Sequence, residues 1–162
     1  MIRRAVFCLL VVSFSSLSLA AHNLAGCWSG TGFVTLMGLG RQACSRIAIQ
    51  QDFSESQLSM KMLVLDCPSL SKSWDEKAFE IRNGKEIWGG PANAEKTPLG
   101  WLEVDSFWFD EPVNQLQYIE YKAVRDVASG RLSWVESFAN GQKIYWKIEA
   151  ELIPVSCEGL AP

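Results

Sequence analysis

Glu136, Tyr121 and Arg125 are ionisable residues that strand pairing can place together on one apolar face. If residues 127–130 form a four-residue loop between two antiparallel strands, Tyr121 lies opposite Glu136 and Arg125 lies opposite Leu132. Directly opposed residues share a face, and the neighbours of Glu136 on that face are apolar. A carboxylate in such surroundings needs a partner, because burying a charge alone is costly. The phenol of Tyr121 can donate one hydrogen bond to it.

This polar set has two possible roles. It can be a structural network in which Tyr121 and Arg125 satisfy Glu136, or it can orient a ligand inside a cavity. Ligand pockets are mostly apolar with a few placed polar groups, and the seven tryptophans can either fill a core or form a cavity wall. For the second role the sequence predicts the ligand-binding residues Tyr121, Arg125, Trp134, Glu136, Trp146 and Met62.

The residues that most catalytic sites need are missing. The single histidine, His22, lies close to the expected mature N-terminus, so a Ser-His-Asp, Cys-His or histidine-ligated metal site has poor support. The glycine pair Gly30-x-Gly32 precedes no helix that could hold a phosphate. We therefore expect no catalytic residues, no metal and no cofactor. An enzyme that uses carboxylates or tyrosine is the third class of function considered, after ligand binding and protein interaction.

Strand-like stretches separated by turn residues follow one another after residue 21, without helical periodicity of useful length. The candidates are 26–35, 43–53, 57–67, 75–82, 85–89, 100–110, 115–126, 131–139 and 142–153. They predict an all-β fold, an antiparallel up-and-down meander of roughly eight or nine strands. A closed barrel is favoured over a two-sheet sandwich, because closure removes the exposed edges.

The last hairpin supports an inward position for Glu136. A three-residue loop at 139–141 pairs Trp134 with Trp146 and Glu136 with Ile144. This register makes one face apolar and leaves the charged residues on the other, as expected for a sheet with one buried face.

Four cysteines follow residues 1–20, and an even number in an exported chain indicates disulfides. The register that best aligns the apolar residues of the second hairpin places Cys44 across from Cys67, on the face opposite to those apolar side chains. Elimination pairs Cys27 with Cys157, which would join the first and last strands.

Residues 1–20 have the parts of a secretory signal peptide: the basic Arg3 and Arg4, an apolar run, and a small-residue cleavage site ending at Ala20. Cleavage leaves a single all-β domain at 21–162, in the periplasm or outside the cell. It removes two of the 15 basic residues and none of the 18 acidic ones, so the mature net charge is −5. Nucleic acid is not expected as a partner, because no basic cluster is left to bind it.

A second processing route is open at residues 24–27, Leu-Ala-Gly-Cys, which match a bacterial lipobox. The chain would then be cut before Cys27, and acyl chains on this cysteine would anchor it to a membrane. His22 and Asn23 interrupt the apolar run before the box, and lipidation would leave an odd number of cysteines. A membrane is therefore a partner only if Cys27 is lipidated.

The segment from Leu24 to Gly30, with Gly26-x-Trp28 inside it, resembles the G-x-W opening of calycins, the lipocalin and avidin-like small β-barrels. The resemblance implies a closed barrel in which Trp28 closes one end. The chain lacks the Thr-Asp-Tyr-like motif and the C-terminal helix of lipocalins, so an avidin-like or simplified calycin barrel fits it better. The short match carries over no ligand-binding residues.

These observations predict an exported small barrel that binds a small apolar or amphipathic molecule in its interior. The alternative is an envelope or secreted protein-interaction module, such as an inhibitor or accessory factor, with an unknown protein partner. Its contacts would lie on the expected loops at 67–74 and 89–99. A cavity favours the first function, whereas a filled interior with an exposed apolar patch favours the second.

Overall fold

The protein is a closed antiparallel β-barrel. The computed structural model describes residues 22–89, 97–158 and 160, so the signal segment and most of the expected loop at 89–99 lie outside the described residues. Each strand pairs with the next in sequence, and the last pairs back onto the first. The strands are β1 Gly26–Leu36, β2 Gly40–Phe53, β3 Gln57–Cys67, β4 Leu70–Arg82, β5 Glu86–Trp88, β6 Gly100–Leu102, β7 Ser106–Pro112, β8 Gln117–Arg125, β9 Leu132–Asn140 and β10 Lys143–Val155. The expected all-β meander is confirmed, and within these ranges no helix is long and apolar enough to cross a membrane.

The strand count is ten rather than eight or nine, because the predicted strand at 100–110 is two strands. A tight turn at 103–105 separates β6 from β7. The Glu103 amide closes the turn by donating a hydrogen bond to the Ser106 carbonyl, with a nitrogen–oxygen distance of 2.7 Å. The two strands form a hairpin in which Trp101 lies opposite Trp108.

The prediction of a loop at 67–74 is wrong, because most of this segment belongs to β4. β3 ends at Cys67, Pro68 and Ser69 make a turn, and β4 begins at Leu70. Leu70 and Trp74 are half-buried and pack against the main core, so their apolar side chains draw this segment into the barrel wall.

The meander gives the barrel two distinct ends, because consecutive strands run in opposite directions. The end that we call the closed end carries both termini of the described chain and the connections at 54–56, 83–85, 103–105 and 126–131. The end that we call the open end carries the connections at 37–39, 68–69, 113–116 and 141–142.

Apolar side chains fill the closed end. Leu24 precedes β1, is fully buried, and belongs to the main core, so the chain folds inward before the first strand begins. Trp28 is 2% exposed, and its Nε1 donates a hydrogen bond to the Leu24 carbonyl at 2.9 Å. Gly26 adopts a φ of 108°, a left-handed conformation that suits glycine, where the chain turns from Leu24 into the strand.

The pairing of β8 with β9 confirms the expected register. Tyr121 lies opposite Glu136, and Arg125 lies opposite Leu132. The amide of Asp126 donates to the carbonyl of Arg131 at 2.8 Å, which closes the loop between the two strands.

The expected register of the last hairpin is wrong by four residues. Glu136 pairs with Ile148 rather than with Ile144. A two-residue turn at 141–142 replaces the expected three-residue loop, and a bulge at Tyr145 then shifts the ladder. Side chains alternate with a period of two, so a slip of four residues leaves Glu136 on the inward face.

The disulfide between Cys44 and Cys67 is confirmed, but its predicted face is wrong. Both cysteines belong to the main core instead of the outer face. β2 has an extra residue between Cys44 and Ile47, and β3 has an extra residue at Leu63. Each bulge reverses the alternation of its strand, so the two cysteines turn inward together.

The disulfide between Cys27 and Cys157 is also confirmed, and it lies at the closed end. Cys27 belongs to a second, smaller apolar cluster with Leu63 and Leu160, outside the main core. The chain beyond β10 therefore folds back over the outer face of the first strands and is held there by this bond.

Candidate functional site

A cavity of about 320 Å³ opens at the open end of the barrel. Four strands supply its apolar lining, which consists of Leu36, Leu70, Trp74, Ile119 and Trp146. These side chains are half-buried and pack against the main core. The rings of Trp74 and Trp146 lie 6.4 Å apart between centroids and face each other at a tilt of 47°. The cavity therefore has both aromatic and aliphatic residues in its lining.

Lys77 and Glu136 are the ionisable side chains in this lining. Lys77 lies on β4, and its Nζ is 2.6 Å from Glu111 Oε2 and 2.8 Å from the Tyr121 hydroxyl. The Tyr121 hydroxyl in turn donates to the same Glu111 oxygen at 3.1 Å. The three groups form a closed triangle in which the Lys77 charge is balanced by Glu111.

Glu136 lies on β9 beside this triangle and takes no part in it. Its side chain is 3% exposed, and Oε2 has no hydrogen-bond partner among the described residues. Burial raises the pKa of Glu136 to about 8, opposed by the positive charge of Lys77 and reinforced by the negative charge of Glu111. The carboxyl is therefore mostly protonated at neutral pH and can act as a hydrogen-bond donor.

The predicted bond from Tyr121 to Glu136 does not form. The two residues are directly opposed, but the Tyr121 hydroxyl donates to Glu111. Burial of the phenol raises the pKa of Tyr121, with further contributions from the charges of Glu136 and Glu111. Tyr121 is therefore a neutral donor that holds Glu111 in place.

A void of about 10 Å³ lies next to the cavity. Trp74, Lys77 and Glu136 line both spaces, so they form the boundary between them. A space of this size has room for about one water molecule. The void is also lined by three other residues that the sequence predicted as ligand-binding: Met62, Tyr121 and Trp134.

Arg125 is the predicted site residue that the structure places elsewhere. It lies at the closed end, where its Nη1 is 3.2 Å from Asp105 Oδ1. Four residues of β8 separate it from Tyr121, a distance of about 13 Å along an extended strand. Strand alternation puts Arg125 on the correct face but far from Glu136. The expected Tyr–Glu–Arg network is absent among the described residues.

Lys77 and Glu111 are site residues that the sequence reasoning missed. Each follows from strand alternation, because Lys77 precedes the buried Phe79 by two residues and Glu111 follows the buried Phe109 by two. The signal was a charged residue at an inward-facing position next to a buried aromatic residue of the same face.

The tryptophans have three environments. Trp28 and Trp134 are buried in the main core, and Trp74 and Trp146 line the cavity. Core filling and wall formation therefore both occur. A third group lies on the outer surface, where Trp101 is 48% exposed and Trp108 is 44% exposed.

His22 is part of the closed end. Its ring lies 4.9 Å from that of Phe53, and its Nδ1 is 3.3 Å from the Glu103 carbonyl oxygen. Among the residues with described positions, no group of three His, Cys, Asp or Glu side chains could hold a metal ion. The arrangement at the open end is suited to holding a small molecule against aromatic walls.

Comparisons with protein-family models, with curated proteins and with solved structures each found no match for this chain.

Proposed function

We propose that this protein is an exported barrel that binds a small amphipathic molecule in the cavity at its open end. The observation that carries the proposal is the cavity of about 320 Å³, which has an apolar lining and two ionisable groups, Lys77 and Glu136. Pockets for small molecules typically measure about 300–1,000 Å³ and combine apolar walls with a few polar groups. The apolar part of the ligand would lie against Trp74 and Trp146, with its polar group next to Glu136.

The packing of the barrel interior at the closed end supports entry into this cavity from the open end. Leu24 and Trp28 fill the closed end, and both are at most 2% exposed. A ligand would therefore enter between the turns of the open end. The position of Trp28 also agrees with the resemblance of the Gly26-x-Trp28 opening to calycins.

The two disulfides are consistent with an oxidising compartment outside the cytoplasm. Cleavage after Ala20 is the processing route that fits them. The disulfide to Cys157 uses the sulfur of Cys27, and lipidation would need that same atom. The expected signal segment at 1–20 lies outside the described residues.

A fluorescent probe and a cavity-filling variant test the proposal. The probe is N-phenyl-1-naphthylamine, a neutral apolar dye whose emission increases in apolar surroundings, titrated into the mature protein with its disulfides intact. Ile119→Trp adds a large side chain to the cavity lining. The matched control is Val124→Trp on the same strand, at a position that is 40% exposed on the outer face.

The wild type and Val124→Trp are expected to bind the dye saturably, whereas Ile119→Trp binds about tenfold more weakly or worse, a loss of about 1.4 kcal/mol. Circular dichroism checks that both variants are folded. Equal binding by folded Ile119→Trp would place the dye outside the cavity and contradict the proposal.

A protein-interaction function is the second candidate, favoured by the outer pair of Trp101 and Trp108. They lie directly opposite each other on β6 and β7, and each is more than 40% exposed. The pair follows the expected loop at 89–99 in sequence. Exposed aromatic clusters are common where proteins meet. Replacing both with alanine should leave dye binding unchanged if ligand binding uses the interior.

A further inference from the structure

The proposed ligand-binding function does not specify the chemical class of the ligand. The charged and ionisable groups in the barrel interior indicate which class fits best. Two acidic side chains, Glu111 and Glu136, lie near the cation Lys77. Lys77 and Glu111 are 2.6 Å apart and balance each other. Glu136 is left without a counter-charge of its own, although it lines the cavity and is 3% exposed.

We propose that the cavity binds an apolar organic cation, an alkyl- or arylammonium ion, whose charge pairs with the carboxylate of Glu136. This inference rests on the proposed ligand-binding function and specifies its ligand class. Glu136 is neutral in the empty cavity, and a bound cation would favour its ionised form because Lys77 is already paired with Glu111. A carboxylate ligand would instead bring a negative charge next to Glu136 and Glu111, where Lys77 is already paired with Glu111.

The walls of the cavity suit the same class of ligand. The half-buried rings of Trp74 and Trp146 are 6.4 Å apart. The face of an indole ring attracts an ammonium group within about 6 Å of its centroid. Leu36, Leu70 and Ile119 supply aliphatic surface for the apolar part of the ligand.

Binding also moves a proton. Glu136 is protonated before binding at neutral pH, because its pKa is raised to about 8. An ammonium ion favours the ionised form, so the carboxyl proton leaves to the solvent as the ion pair forms, and charge is conserved. The ionisable groups that face Glu136 from other strands are Lys77, Glu111 and Tyr121. Lys61 on β3 also borders the void, but its side chain is exposed.

Three probes that differ in one terminal group test this inference: 3-phenylpropylamine, 3-phenylpropanol and 3-phenylpropionate. Their affinities are measured by isothermal titration calorimetry at pH 7 with the mature, disulfide-bonded protein. The amine is expected to bind about tenfold more tightly than the alcohol, because a hydrogen bond between two charged groups outweighs both the neutral bond of the alcohol and the roughly tenfold cost of ionising Glu136 at pH 7. The carboxylate is expected to bind most weakly.

Glu136→Gln keeps the shape of the side chain and removes its charge. It should bind the amine no more tightly than the alcohol, within about threefold, a difference below about 0.7 kcal/mol. The matched control is Glu151→Gln, which removes a charge from an exposed residue on the outer face of β10 and should preserve the preference.

The wild type alone gives a second readout. Titrations of the amine in phosphate and in Tris, which differ in ionisation enthalpy, should show release of most of one proton, and the alcohol should release none. Amine binding without proton release would overturn the proposed exchange at Glu136.

The outcomes separate this inference from the function on which it rests. If the alcohol binds as tightly as the amine, or if the preference persists in Glu136→Gln, the ligand class is wrong while ligand binding stands. If the wild type binds none of the three probes and also fails to bind N-phenyl-1-naphthylamine, the ligand-binding function itself is overturned.

Discussion

The two ends of the barrel are built from the same strands, but their inward-facing positions carry different chemistry. At the closed end these positions hold leucines that are at most 2% exposed: Leu24, Leu102, Leu132 and Leu152. Towards the open end the inward-facing positions of three strands include the ionisable residues Lys77, Glu111 and Glu136. Strand alternation decides which residues face inward. The type of residue placed there decides whether the interior is a packed core or a cavity.

Each end also has its own disulfide, and the two bonds close loops of very different length. Cys27 and Cys157 are 130 residues apart in sequence and join the first and last strands at the closed end. Cys44 and Cys67 are 23 residues apart and lie towards the open end. The longer loop restricts the unfolded chain more strongly, so the closed end should also be the more important end for stability.

Removing the disulfides one at a time should give the largest effects. Replacing Cys27 and Cys157 with alanine is expected to lower the free energy of unfolding by about 5 kcal/mol, and replacing Cys44 and Cys67 by about 3 kcal/mol, from loop entropy. Urea unfolding followed by tryptophan fluorescence measures both. A larger loss from the Cys44–Cys67 pair would show that the open end limits stability and would reverse the comparison.

The free energy of unfolding should depend on pH, because Glu136 is an acid buried in the barrel interior. The pKa of Glu136 rises from 4.5 to about 8 on folding, so the folded state keeps a proton that the unfolded state loses. The stabilisation is complete below pH 4.5 and is lost as the pH rises to about 8, a total of about 5 kcal/mol at about 1.4 kcal/mol per pKa unit.

Glu136→Gln isolates this effect, because its amide stays neutral throughout. Urea midpoints of the wild type should fall from pH 5 to pH 8 relative to those of the variant. Glu151→Gln, exposed on the outer face, should follow the wild type. Parallel curves for the wild type and Glu136→Gln would show that Glu136 is ionised in the folded state.

Much of the fold could be predicted, because it depends on alternation alone. Alternation of apolar residues placed Tyr121 opposite Glu136 and brought Cys44 together with Cys67. It failed where a strand has an extra residue, as at Leu63 and Tyr145. A bulge keeps the apolar composition of a strand and changes only the phase, so the pattern does not reveal it.

The candidate site was predicted less completely, for a related reason. Alternation fixes the face of a residue but not its height in the barrel. For Arg125 the pairing with Leu132 already indicates a position near the barrel end, four positions along β8 from Tyr121, whereas its contact with Asp105 does not follow from the pattern. Lys77 and Glu111 were missed, since their strands had not been aligned with the Glu136 strand. Locating them requires the order of strands around the barrel as well as the pattern within each.

Replacing one leucine with alanine at each end compares how tightly the two ends are packed. We expect these substitutions to have the smallest effects. Leu152 is fully buried at the closed end, and Leu70 is half-buried at the mouth of the cavity. Leu152→Ala should cost about 3 kcal/mol, because it leaves an empty space in a packed core. Leu70→Ala should cost about 1 kcal/mol, because solvent already reaches its surroundings and less apolar area is lost. Urea unfolding with the disulfides intact measures both values. The difference of about 2 kcal/mol follows from packing alone, so equal losses would mean that the open end is as tightly packed as the closed end and has no room for a ligand.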